Sequence, residues 1–207
     1  MVIGLMIIMA IPTITGTAQA YSAQKTQEDR KKEEKRMKKF YIDVGCDAEF
    51  RGVENIRGHR VVLRNDRVYL GPTEATNPSR DGYVAEAFYI EYPDSERNPV
   101  PLGLVSQTRA EPPLLNWIYV DKETAELKYG NKTQSIEHMV GPWDWTKDES
   151  RITFTKKQLF IAVEDPRSKV WQLYYDIDDD GLAKFVTGKR RKRMVYVDLN
   201  RTEMPET

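Results

Sequence analysis

The sequence is poor in cysteine and histidine, and its charges cancel. Cys46 is the single cysteine, which excludes an intramolecular disulfide framework and a cysteine-rich zinc site. The two histidines, His59 and His138, lack the spacing of a paired-histidine metal motif, and no Gly-x-Ser-x-Gly motif marks a nucleophilic serine. With 32 basic and 32 acidic residues, the chain has no overall attraction to nucleic acid, so nucleic acid is not a favoured partner.

The charges are unevenly distributed along the 207 residues, and their pattern predicts one folded domain with appendages. Residues 1–24 carry no charged side chain, whereas residues 25–39 hold eight basic and four acidic side chains. A second basic run, Lys-Arg-Arg-Lys-Arg, occupies residues 189–193. This run matches a nuclear-import pattern, but it leads directly into a predicted strand, so a solvated strand entrance is the preferred interpretation.

Residues 1–20 form an apolar segment for which three interpretations stay open. The run from Val2 to Ile11, followed by an Ala-x-Ala ending at Ala20, is typical of a cleaved signal peptide. The uncharged stretch could instead anchor in a bilayer, which needs about 20 residues, although Pro12 interrupts it. A short apolar helix docked on the folded body is the third interpretation. A secreted or membrane-associated location is therefore favoured over a nuclear one.

Residues 21–39 are predicted to form a charged helical tether. Ser22 is a candidate N-cap, and acidic and basic side chains recur at i+3 and i+4 spacing, which stabilises an exposed helix. The segment has too few apolar positions for a coiled coil. Because residues 25–39 carry an excess of basic side chains, an anionic membrane surface is a candidate partner.

From residue 40 onward the hydrophobic pattern changes to the alternation of β-strands. Residues 171–177 carry an apolar side chain at every second position, and residues 64–66 join two short apolar runs as a hairpin turn. Short strands without alternating helices predict an antiparallel sandwich or barrel-like domain. We therefore predict a mainly β domain over residues 40–200, with an N-terminal helix before it and a tail at 201–207. No internal repeat is visible, and one short helix is predicted at about residues 134–139.

The sharpest local pattern is Asp-Ile-Asp-Asp-Asp-Gly at residues 176–181. The carboxylates at its first, third and fifth positions, Asp176, Asp178 and Asp180, followed by glycine, are typical of the start of a calcium loop. Its twelfth position is Thr187, where an EF-hand needs a glutamate. Two interpretations stay open, a looser Ca²⁺ site completed by a remote carboxylate and an aspartate-rich hairpin turn.

Two tryptophans and two asparagines are the other candidate site residues. Trp143 and Trp145 share one face if the segment is extended, where they could stack on a carbohydrate or a peptide, or at least one could enter the core. Asn131 and Asn200 begin the sequons Asn-Lys-Thr and Asn-Arg-Thr, which accept N-glycans if the chain enters the secretory route.

Six stretches of the sequence together carry a resemblance to a known family. They are IPTITG (residues 11–16), KFYIDVGCD (39–47), YIEYPD (89–94), PPLLNWIYVDK (112–122), YGNKTQSIEHMVGPWDWT (129–146) and YYDIDDDGL (174–182). In these stretches the chain resembles a family of uncharacterised proteins from filamentous fungi. The resemblance spans most of the chain, but it implies no activity, cofactor or catalytic residue.

The sequence favours a non-enzymatic binding or scaffold module that is membrane-associated or secretory. Its candidate ligands are a protein or a carbohydrate, and Ca²⁺ is the candidate cofactor. The alternative is an unrecognised carbohydrate-active or hydrolytic enzyme that uses paired carboxylates, although no residue stands out as catalytic. A cleft with two converging carboxylates of shifted pKa would favour the enzyme, and a filled barrel would favour the module.

Overall fold

The computed structural model describes residues 12–47, 56–73, 82–94, 96–107, 114–185 and 193–205, with side chains from residue 25 onward in the first of these ranges. The chain divides into two units between Lys38 and Lys39. The first unit contains α1 (Pro12–Met37), which continues without a break across the boundary expected at residue 20. From Lys25 onward nearly all its side chains are exposed, as expected for a charged helix that lacks an apolar stripe. Neither α1 nor any other described helix combines the length and the apolar character that crossing a membrane requires.

In the second unit the described residues form short strands and one short helix. These strands are β1 (Phe40–Gly45), β2 (Arg60–Arg64), β3 (Arg67–Gly71), β4 (Tyr83–Val84), β5 (Glu86–Glu91), β6 (Leu102–Gln107), β7 (Leu115–Val120), β8 (Leu127–Gly130), β9 (Trp143–Trp145), β10 (Ile152–Phe154), β11 (Phe160–Glu164), β12 (Trp171–Tyr175), β13 (Met194–Tyr196) and β14 (Asp198–Glu203). The helix α2 (Lys132–Ser135) precedes β9. It begins earlier than predicted because the side chain of Asn131 accepts a hydrogen bond from the Gln134 N–H and caps the helix.

Seven strands close into an antiparallel barrel. Hydrogen-bonded pairing runs from β1 through β2, β3, β8, β7, β6 and β5 and returns to β1. Strand alternation points apolar side chains inward, as in β1, where Phe40, Ile42 and Val44 are buried. The predicted fold class, a mainly β barrel-like domain with an N-terminal helix, is confirmed. Each strand of the ring pairs with a neighbour on both sides, so a strand with an unpaired edge can lie only outside the ring.

Three hairpins, β2–β3, β7–β8 and β11–β12, contact one another pairwise. Strand β3 pairs with β8 at Arg67 and with β12 at Tyr69. A bridge between Glu126 and Tyr174 joins the second hairpin to the third. Polar side chains from all three hairpins therefore come together at one place on the domain.

Two of these hairpins contain the same turn, although the sequence shows no internal repeat. Asp121 and Asp165 each accept hydrogen bonds from the backbone N–H groups two and three residues further on. The residues that follow these turns, Ala125 and Lys169, both have positive φ. The repeated feature is thus a backbone geometry with one aspartate in common, which is too little sequence identity to be visible in a single chain.

The C-terminal strand β14 extends the sheet into the segment that was expected to be a tail. Its pairing with β1 continues as far as Phe40 and Glu203. The Thr202 hydroxyl donates to Asp43 Oδ2 at 2.6 Å, and Arg60 Nε donates to Asp43 Oδ1 at 2.7 Å. Residues 201–203 are therefore held by the sheet rather than projecting from it.

Candidate functional site

Asp176, the first carboxylate of the predicted calcium loop, is a buried hydrogen-bond acceptor. It is 1% exposed and accepts from the backbone N–H groups of Asp180, Gly181 and Leu182. The Tyr196 hydroxyl donates to its Oδ2 at 2.8 Å. Burial alone would raise the pKa of this carboxyl, but these donors hold the pKa below its ordinary value. Asp176 therefore organises the turn and joins it to β13.

The other two predicted calcium ligands each accept a hydrogen bond from a different donor. Asp178 accepts from Lys184 Nζ at 2.7 Å, and Asp180 accepts from the Ala183 N–H at 3.0 Å. Among the residues that the structure describes, no group of three His, Cys, Asp or Glu side chains is placed to hold a metal ion. Calcium binding at this loop stays a prediction.

The two tryptophans of β9 differ in burial. Trp143 is 0% exposed, and its ring packs against those of Phe154 and Phe160, with centroid distances of 4.7 and 6.1 Å. Trp145 is half-buried, with the Arg201 guanidinium 4.5 Å from its ring centroid. Trp143 thus takes the core position that the sequence left open, and only Trp145 retains surface area for a ligand. Its role in ligand binding stays a prediction.

The two sequon asparagines also differ in accessibility. Asn131 is exposed at the start of α2, where its Oδ1 caps the helix. An N-glycan would be attached to the other amide atom, Nδ2, which is not used in the cap. Asn200 lies in β14 opposite Asp43, and its Nδ2 is so close to Gly45 that a side chain there would collide with it.

We expect a chain produced in a eukaryotic secretory host to be glycosylated at Asn131 and not at Asn200. Thr133→Ala removes the first sequon but keeps the Asn131 cap, so it should abolish the gel shift caused by endoglycosidase. Asn200→Gln, the control, should leave that shift unchanged. A shift that only Asn200→Gln removes would contradict this expectation.

The basic run at residues 189–193 lies outside the described residues except for Arg193. Arg193 Nε is 3.8 Å from Glu164 Oε2, directly before β13. Its nuclear-import role stays untested. The anionic membrane surface predicted for residues 25–39 also stays untested.

A small polar cleft lies between the β2–β3 and β11–β12 hairpins. Its volume is about 160 Å³, and its walls include Arg64, Arg67, Tyr69, Glu164, Gln172 and Tyr174. The Arg64 guanidinium lies 4.9 Å from the centroid of the Tyr69 ring. Among described residues, the buried side-chain Nε2 of Gln172 has no hydrogen-bond partner. We call this site the hairpin cleft.

Ion pairs neutralise the charges around the hairpin cleft. Glu126 accepts from Arg67 Nε and from the Tyr174 hydroxyl, both at 3.2 Å. The Glu126 carboxylate raises the pKa of Arg67. Burial, followed by Glu126, raises the pKa of Tyr174. Glu164 lies 3.8 Å from both Lys169 and Arg193. The cleft therefore offers donors and acceptors without a strong excess of either charge.

The carboxyls with shifted pKa values do not resemble a general acid. The pKa of Asp121 is lowered, because hydrogen bonds from Lys128 and two backbone N–H groups outweigh the effect of burial. The pKa values of Asp148 and Asp176 are lowered as well. A catalytic general acid needs the opposite shift, a raised pKa.

A closed antiparallel barrel accompanied by three contacting hairpins defines a β-trefoil-like domain. The model of the family described as the fungal beta-trefoil domain matches residues 16–205, and the chain belongs to that family. The resemblance to uncharacterised fungal proteins is thereby confirmed. Among curated proteins and among solved structures, no significant match to the chain is found. β-Trefoil domains are commonly non-enzymatic binding modules, and many bind carbohydrates or proteins.

Sequence reasoning missed every residue of the hairpin cleft. Tyr69 and Gln172 become neighbours only because β3 pairs with β12. The available signal was a polar glutamine inside the otherwise apolar alternation of residues 171–177, which indicates an outward-facing position but not what lies opposite.

Proposed function

We propose that the protein is a non-enzymatic binding module that holds a neutral carbohydrate in the hairpin cleft. The observation that carries the proposal is the buried Nε2 of Gln172, which has no partner among described residues and lies in the wall of a polar cleft. A buried amide donor without a partner costs free energy, and a ligand oxygen would remove that cost.

The charge pattern favours a neutral sugar over an anionic ligand. The two basic groups on one wall, Arg64 and Arg67, face a cleft that also contains Glu164 and Asp165. Arg67 is already paired with Glu126. An anion would meet carboxylates in this cleft, whereas sugar hydroxyls can both donate to them and accept from the arginines. The tyrosine rings provide apolar surface for the sugar's C–H groups.

The test is a glycan array followed by saturation-transfer NMR with the selected glycan. Gln172→Met keeps the size of the side chain and removes its amide, and we expect about tenfold weaker binding, equivalent to one hydrogen bond of about 1.4 kcal/mol. Gln107→Met is the matched control, because Gln107 lies on β6 and accepts from Lys39 outside the cleft. Failure of the array to yield a glycan, or equal binding by Gln172→Met, would refute the proposal.

A further inference from the structure

β13 is an edge strand, unlike the strands of the barrel ring. It pairs with β11 on one side, and no described strand pairs with its other side. Its side chains are well exposed, with Met194 44% and Tyr196 51% accessible. An open strand edge presents unpaired N–H and C=O groups that can pair with another extended chain.

The hydrogen bonds to β11 show which backbone groups of β13 point outward. The Glu164 N–H donates to the Arg193 carbonyl at 2.9 Å, and the Val197 N–H donates to the Phe160 carbonyl at 3.0 Å. In an antiparallel pair the residues that bond across the ladder alternate with those that do not. The backbone groups of Met194 and Tyr196 therefore point away from β11, toward the open side.

A groove lies along this side of the strand. Its volume is about 450 Å³, and its walls are residues 194–198 together with Cys46, Asp47 and Gln158. This volume is within the range of protein ligand sites. The buried Oε1 of Gln158 has no hydrogen-bond partner among described residues. Among the described residues, the groove therefore combines a strand edge without a pairing strand and a side-chain acceptor without a donor.

The charges along the groove specify the occupant further. Asp47 and Asp198 both line it, although Arg151 already lies 3.4 Å from Asp198. The five basic residues at positions 189–193 precede β13 in the sequence. In an antiparallel pair of β13 strands the residues before each strand lie at opposite ends, so a second copy is the competing occupant, which would protect Met194 and Tyr196 from hydrogen exchange before any peptide is added. The complement of this groove is an extended peptide of another protein, with a basic side chain near Asp47.

We propose that β13 is an acceptor edge for a peptide strand of a partner protein, which adds to the sheet through the outward backbone groups of Met194 and Tyr196. A basic side chain of that peptide pairs with Asp47, and a donor on it reaches Gln158 Oε1. Main-chain hydrogen bonds supply affinity in this mode of recognition, and the side-chain contacts supply specificity. This site is separate from the hairpin cleft.

The test selects octapeptides from a random phage-displayed library against the full chain and measures their affinity by calorimetry. Met194→Pro deletes one outward N–H without removing a bond to β11, because that N–H points to the open side. We expect at least tenfold weaker binding to Met194→Pro. Met194→Ala, which keeps the N–H, should bind within a few-fold of the unaltered chain. Asp47→Asn should weaken binding of peptides that contain a basic residue.

Amide hydrogen exchange provides a readout that does not depend on how well the proline variant folds. In the free chain we expect rapid exchange at Met194 and Tyr196 beside slow exchange at Val195 and Val197, with protection of the first pair after peptide is added. Protection of Met194 and Tyr196 before any peptide is added would show that the chain's own residues occupy the edge and would overturn the proposal. A library that yields no peptide, or peptides that bind Met194→Pro as tightly, would overturn it equally.

Discussion

Replacing Trp143 by alanine is expected to lower the free energy of unfolding by about 3–5 kcal/mol. The side chain is fully buried and packs against Phe154 and Phe160, so its removal leaves a large cavity lined by aromatic rings. Its indole Nε1 is buried without a hydrogen-bond partner among described residues. Trp143→Phe should therefore cost much less than Trp143→Ala, because it retains most of the packing and removes an unsatisfied donor. Urea unfolding of the variants measures the difference.

Trp145→Ala is the matched control within the same strand. Trp145 is half-buried, with an edge-on contact to Tyr89 at 5.4 Å, and we expect a loss of about 1–2 kcal/mol on removing that partial burial. Equal losses for the two tryptophans would contradict the buried position of Trp143. If Trp145 also contacts a carbohydrate or a peptide, Trp145→Ala should weaken that binding beyond its effect on stability.

Asp176→Ala is expected to destabilise the domain by about 2–4 kcal/mol, the second largest effect. The substitution leaves three backbone N–H groups, of which that of Leu182 is buried, and the Tyr196 hydroxyl without their common acceptor. Asp178→Asn is the control: it disrupts an exposed ion pair with Lys184, and such pairs contribute less than about 1 kcal/mol. Thermal unfolding of both variants with and without millimolar calcium also tests the calcium prediction. A calcium-dependent rise in melting temperature that Asp178→Asn abolishes would establish a metal site, and equal losses for both substitutions would refute the turn-organising role of Asp176.

The Asp176 carboxylate should make the free energy of unfolding depend on pH. The pKa of Asp176 is lower in the folded chain than the unfolded value of about 3.9, so the unfolded state takes up the proton first as pH falls. Its contribution to stability is therefore complete above about pH 5 and declines as the pH drops through 4 toward the folded pKa. Asp176→Ala should show a weaker loss of stability over this window than the unaltered chain, and an unchanged pH dependence would show that other groups dominate.

Much of the fold was predictable because it depends on short-range patterns. Alternating apolar residues identify strands wherever one face is buried, as in β1. The turn at residues 64–66 could be predicted in the same way, and Asn65 and Asp66 both have the positive φ that such turns require. Barrel closure was harder to predict, because the pairing of β1 with β5 and of β3 with β8 joins residues far apart in the sequence.

At the candidate sites, the sequence predicts which residues are distinctive but not what surrounds them. Asp176 is recognisable as exceptional from its sequence context, but whether its oxygens face a metal ion or backbone N–H groups depends on how the chain folds back at residues 180–182. Trp143 and Trp145 share a strand and a residue type, yet one is enclosed by Phe154 and Phe160 and the other lies beneath Arg201.

By itself the sequence determined a mainly β domain, a charged N-terminal helix and a short list of chemically distinctive residues, since these follow from local periodicity and residue type. Only the tertiary structure decided that the barrel closes, that the β2–β3 and β11–β12 hairpins form the hairpin cleft, and that no described strand pairs with the second edge of β13. The physical reason is that burial and hydrogen-bond satisfaction depend on neighbours contributed by distant strands. No local pattern identifies which strands will supply those neighbours.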